Sequence, residues 1–151
     1  MIELLQRIRT RALGIAGRAA WLPPLLMRIA LGVTFIRTGW GKLHDLDTLV
    51  AYFDSLGIPA ASLQAPMVAV IELVGGALVL AGLATRVAAL LLSGVMAVAL
   101  VTAIWPAADG VTGLLGSLEL IYLVTFLHLA AHGAGAVSVD RTLSPTVGAI
   151  A

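Results

Sequence analysis

The sequence has no cysteine. Disulfide exchange, iron–sulfur ligation and thiolate zinc binding are therefore excluded, and the four-helix membrane thiol oxidoreductases with them. Charge is scarce too. Charged residues make up 11% of the 151 positions and hydrophobic residues 60%, where a soluble domain carries roughly 25% charged residues. So little charge cannot cover a globule with polar surface, so lipid must cover part of it. The net charge is only +1, which gives no basis for binding nucleic acid. There is no convincing tandem repeat, and the length suits one domain. These features predict an all-α fold, an integral membrane four-helix antiparallel bundle with an N-terminal amphipathic interfacial helix.

Residues 1–21 read as that basic helix. Ile2, Leu5, Ile8, Ala12, Ile15 and Ala19 fall on one stripe at about 100° per residue. Arg7, Arg11 and Arg18 cluster beside it, suited to anionic headgroups at the interface. A signal peptide fits less well, because the following apolar run reaches spanning length and no clear small-residue cleavage site closes it.

Residues 22–136 form the membrane domain, with spans expected at 22–43, 66–84, 87–105 and 114–136. Pro23 and Pro24 suit the first turn of the first span. A short surface helix follows, with Leu46, Leu49, Val50, Phe53 and Leu56 on one face and Gly57 and Pro59 ending it. Thr85-Arg86 is a tight turn, and Pro106 stops the third span. Residues 137–151 read as a polar tail. Arg7, Arg9, Arg11, Arg18, Arg86 and Arg141 gather on one side and only Lys42 on the other. The positive-inside rule then places both termini in the cytoplasm, and a bacterial inner membrane is the expected location.

Ionisable residues inside spans are costly and mark candidate sites. Arg37, Lys42, Glu72 and Glu119 fall in one outer layer, two positive and two negative, which makes pairing the expected remedy. Arg28, His128 and His132 form an inner layer. Arg28 and Arg37 are nine apart, as are Glu119 and His128, so each pair points about 180° apart on a straight helix. Either Gly32 and Gly39 bend the first span, or one layer lies at a subunit interface. The simplest alternatives are structural. The outer charges then form an ion-pair network, Arg28 snorkels to inner headgroups, and the histidines bond between helices. Two histidines on one helix do not complete a metal site. Gly75, Gly76 and Gly82 read as a close packing seam that would fix the position of Glu72.

Several segments taken together resemble the DoxX family of small membrane proteins. They are Arg28 with Gly39-Trp40-Gly41-Lys42-Leu43, Phe53 with Leu56-Gly57-Ile58-Pro59, and Glu72 with Gly75-Gly76, Gly82 and Thr85-Arg86. Glu119, Gly133-Ala134-Gly135 and Ser138-Val139-Asp140 complete the set, which covers about residues 25–142. Val139 departs from the leucine more usual in the family. Arg28, Lys42, Glu72, Arg86, Glu119 and Asp140 match the family's polar positions, while His128 and His132 do not carry over. The resemblance implies a four-helix membrane fold. It also implies a role near quinone or redox chemistry, since some relatives are subunits of thiosulfate:quinone oxidoreductases. Others join membrane complexes with superoxide dismutase and a sulfurtransferase, or accompany metal-handling peptide systems.

The leading expectation is therefore a membrane subunit of a redox-associated, quinone-linked complex. It would not be an enzyme on its own, since no haem, flavin or iron–sulfur motif is present. A quinone headgroup would accept hydrogen bonds from Arg37 or Lys42, and Glu72 or Glu119 would handle protons. The expected partners are the bilayer and either further copies of the chain or other protein subunits. A non-catalytic scaffold and a small oligomeric transporter or channel are the alternatives.

Overall fold

The structure, a computed structural model, describes residues 6, 14 and 17–143. Most of the expected interfacial helix over 1–21 and the end of the tail, 144–151, lie outside the described residues. Helix α1 runs Leu22–His44, with Pro23 and Pro24 in the first turn, where a missing N–H costs nothing. Helix α2, Leu46–Ser55, is short and amphipathic. Helix α3 runs Ala61–Ala81 and so begins five residues before Pro66, which lies inside it. Gln64 supports this first turn by donating from Nε2 to the Pro59 carbonyl at 2.6 Å.

Helix α3 ends at Gly82, whose φ of 72° suits a residue without Cβ. Its N–H and that of Leu83 both bond to the Leu78 carbonyl, at 2.9 and 3.0 Å. Helix α4, Thr85–Ala99, continues as a π-helical segment, Leu100–Ile104, and a last turn, Trp105–Ala107. Pro106 explains the wider winding: it lacks an N–H and clashes with the carbonyl four residues back, at Thr102, which lies inside the π segment.

The path after Pro106 differs from the expected continuous run over 114–136. Helix α5, Gly110–Leu115, stops at Gly116, and α6 begins afresh at Leu118 and ends at His132. Ser117 is the reason, because its hydroxyl accepts from the Leu120 N–H and caps the new helix. A short helix α7, Val139–Leu143, follows. Among the described residues no strand occurs, and three helical stretches are long and apolar enough to cross a membrane: Gly17–His44, Ala61–Ala81 and Thr85–Ala107. Helix α6 is apolar but, at 15 residues, spans only about 22 Å.

Helix α1 packs along α3, and α4 along α6. The first contact is a glycine seam. A methyl on Gly32 would stand 2.6 Å from Leu80 Cβ, and one on Gly39 would strike the backbone of Leu73. Gly76 closes the seam from α3 against α1. Gly32 and Gly39 thus serve close approach in lipid rather than bending. The core between the helix pairs holds Leu31, Phe35, Val79, Leu92, Phe126 and Leu129. Phe35 meets Tyr122 and Phe126 edge to face, with centroids 5.5 and 4.9 Å apart. Leu49 of α2 packs on Ala65 and Ala69 of α3 and holds the short helix against the first half of α3. Val70, Val74, Val87, Leu90, Val98 and Val101 are exposed, an apolar exterior suited to an integral membrane protein.

Candidate functional site

A cavity of about 490 Å³ lies in the half that carries α2, the expected outer half, between α1, α2, α3, α4 with its π segment, and α6. Lys42, Glu72, Glu119, Tyr122, Thr38 and Thr102 supply much of its polar lining, with Thr34, Tyr52 and Gln64. Phe35, Leu49, Phe53, Val68, Ile71 and Val95 supply much of the rest. Exposed Met67, Leu91 and Val98 also border it, so it reaches the apolar exterior. A second, apolar crevice of about 200 Å³ between α3 and α4 shares Ile71 and Leu91 with it.

Two of the lining residues form an ion pair. Lys42 Nζ stands 2.5 Å from Glu72 Oε1, with the glutamate side chain 2% exposed and the lysine side chain 33%. The second oxygen, Oε2, is buried and has no hydrogen-bond partner. Gly75 and Gly76, one turn on, hold α3 close to α4 and α1, so the carboxylate is fixed rather than free to move outward. Burying a carboxylate with half its acceptor capacity unused is costly. Glu119 lines the same cavity from α6 and, among the described residues, joins no salt bridge.

The four residues of the expected outer layer therefore separate. Lys42, Glu72 and Glu119 share one cavity, whereas Arg37 is exposed on the opposite face of α1. It makes no hydrogen bond or ion pair with the described residues. Helical geometry is the cause. Phe35 and Gly39 face inward, so the residue midway between them must face out.

The inner layer separates in the same way. Arg28 is 2% exposed and does not snorkel. Its Nε donates to the Val79 carbonyl at 2.9 Å, Nη2 to Leu80 at 2.9 Å, and Nη1 to Ala134 at 3.1 Å and also to Val137. It thus ties α1 to the end of α3 and to the chain after α6. Asp140 completes this clasp. Its carboxylate accepts from the N–H groups of Ala84 at 2.7 Å and Thr85 at 3.1 Å, capping α4 from a distant part of the chain. The Asp140 N–H in turn donates to the Gly82 carbonyl at 2.8 Å.

His128 and His132 lie exposed on α6, their rings stacked with centroids 4.2 Å apart, and His132 Nδ1 is 3.1 Å from the His128 carbonyl. Arg86 is exposed beside Gly133. Among the described residues, no three His, Asp or Glu side chains converge on a point where a metal ion would sit. The opposed pairs need no kink: Arg28 faces in and Arg37 out, Glu119 lines the cavity and His128 faces out.

Sequence reasoning missed Tyr122, although it lies one turn from Glu119 and so shares its face. It also missed the π segment, for which Pro106 was the available signal.

A DoxX family model matches residues 24–105. That stretch contains Arg28, Lys42, Glu72 and Arg86, and Glu119 and Asp140 lie beyond it. The chain is 34% identical over 120 residues to "Inner membrane protein YqjF" of Escherichia coli, covering 80% of this chain and 91% of that one. It is 34% identical over 118 residues to "Putative oxidoreductase CatD" of Bacillus subtilis, covering 77% and 83%. It is 38% identical over 135 residues to "Uncharacterized membrane protein Rv3486" of Mycobacterium tuberculosis, covering 81% and 83%. No solved structure matches the chain. The chain belongs to the DoxX family.

Proposed function

With membership of the DoxX family as premise, we propose that the protein is a membrane subunit of a redox-associated complex and that its outer cavity receives a quinone headgroup. The observation that carries this reading is the buried Glu72 carboxylate, held on one oxygen by Lys42 and without a partner on the other, in the wall of a cavity that reaches the apolar exterior. Quinones are delivered through the lipid, so such a site needs a polar end and an apolar way in. The crevice along α3 and α4 offers the apolar way. Glu72 and Glu119 are placed to exchange protons with the headgroup, and Lys42 to orient it. Electrons come from a partner, since the chain contributes no redox centre of its own to this scheme.

The setting follows from the same premise. A relative bears the name of an inner membrane protein and another that of an oxidoreductase, and we assign this chain to the inner membrane. Helix α6 makes the fourth crossing of an antiparallel bundle, and both termini face the cytoplasm by the distribution of arginine. The outward-facing Arg37 supports contact with another subunit or a second copy of the chain, where a charge at that depth finds a partner.

The test is purification of the full chain in mild detergent, with mass spectrometry of co-purifying lipids and proteins. Stoichiometric quinone or quinol that is lost in the paired variant Lys42→Met with Glu72→Met is the expected result. A clean preparation with neither quinone nor a redox protein would leave the charged cavity as a structural network and overturn the reading.

A further inference from the structure

The hydrogen-bonding character of the cavity goes further than its polarity. Glu72 Oε1 is occupied by the Lys42 ammonium, which leaves Oε2 as the buried oxygen without a partner. An ionised carboxylate accepts and never donates. Glu119 adds a second carboxylate to the same wall. Two threonines there have already used their one O–H inside their own helices. Thr38 donates to the Phe35 carbonyl at 3.2 Å and Thr102 to the Val98 carbonyl at 2.9 Å. Both can therefore only accept from a ligand.

The hydroxyls of Tyr122, Tyr52 and Thr34, the Gln64 amide and the remaining N–H groups of Lys42 are donors, but these do not discriminate. A phenolic hydroxyl accepts from them as a quinone carbonyl does. The carboxylates do discriminate. A quinone carbonyl facing Glu72 Oε2 sets acceptor against acceptor and leaves the buried oxygen unsatisfied, whereas a quinol hydroxyl donates to it. A lipid amine would also donate, so the test is run in a lipid that has no N–H group.

We propose that this cavity selects the reduced form of its ligand, an aromatic diol carried on an apolar tail, over the oxidised quinone. The inference rests on the quinone-site reading above and adds to it which redox form the site holds. A charge-assisted hydrogen bond made by one form and denied to the other gives a preference of about tenfold or more. For a two-electron couple, tenfold tighter binding of the reduced form raises the potential of the bound ligand by about 30 mV.

The experiment uses the full chain in nanodiscs of phosphatidylcholine, whose headgroup has no N–H or O–H to fill the site. Decylubiquinol and decylubiquinone are titrated separately under anaerobic conditions, and each dissociation constant is read from tryptophan fluorescence. The quinol is expected to bind about tenfold more tightly. Glu72→Gln, whose amide supplies a donor, is expected to shrink that ratio by improving quinone binding. Equal affinities, or tighter quinone binding, in the unaltered protein would overturn the inference and leave the quinone site standing. Binding of neither form would overturn the site itself. The wild-type ratio needs no variant, so a poorly folded Glu72→Gln protein does not obscure the outcome.

Discussion

The two halves of the molecule treat buried charge in opposite ways. In the inner half, Arg28 donates to four carbonyls from two parts of the chain, and Asp140 accepts two backbone N–H groups at the neighbouring turn. The guanidinium and the carboxylate are both engaged, and the clasp is closed. In the outer half, Glu72 is buried as deeply but is satisfied on one oxygen only, and a cavity stands beside it. A closed network rigidifies and has nothing to offer a ligand, whereas an open one is less stable by itself and gains from being filled. The contrast separates the charges that hold the fold from those proposed to meet a ligand.

That contrast is broken most directly at Arg28. Replacing it with methionine strands the carbonyls of Val79, Leu80, Ala134 and Val137. Thermal unfolding of the full chain in detergent is expected to show a loss of about 4 kcal/mol. A loss smaller than that of any cavity variant would mean that the inner clasp is not the anchor.

Lys42→Met comes next. It leaves Glu72 buried without its counter-ion and is expected to cost about 3 kcal/mol. The paired substitution Lys42→Met with Glu72→Met should recover most of that stability while abolishing ligand binding, which no change at the clasp should do. Recovery of both would deny the cavity any role in binding.

Asp140→Ala removes only a helix cap, so a loss of about 1 kcal/mol is expected in the same unfolding measurement. Faster hydrogen exchange at Ala84 and Thr85 should accompany it. The smallest effect belongs to Arg37→Leu, which should leave the unfolding midpoint of the isolated chain unchanged. A changed oligomeric state on size-exclusion chromatography would assign this residue to an interface, and a lowered midpoint without such a change would reveal a contact within the chain.

Much of this was legible in the sequence, and the residues explain where it stopped. Hydropathy located three of the four apolar stretches because lipid imposes length and composition together. The nine-residue spacing of Arg28 and Arg37 announced that they point apart, but periodicity alone does not say which faces inward. The glycines do. Gly32 and Gly39 mark the face of α1 that touches α3, and Arg37 falls opposite them. The partners of Arg28 were out of reach, because all four are backbone carbonyls, which every residue has. The start of α6 was misplaced because Ser117 is a weak signal inside an apolar run, and only the Leu120 N–H it accepts reveals it as a cap. The open oxygen of Glu72 is a property of packing and has no signature in the one-dimensional pattern.

The span of the inner clasp along the chain bears on biogenesis. Arg28 is made 106 residues before Ala134 and 109 before Val137. During synthesis the first helix enters the bilayer with a cation whose partners do not yet exist, and the guanidinium must wait at the headgroup level or on water until the end of the last helix emerges. Final seating of the first helix is therefore among the last events of assembly. A chain cut short after His132 would leave Arg28 with only the Val79 and Leu80 carbonyls and Nη1 unsatisfied, and a quality-control protease would have a defect to read.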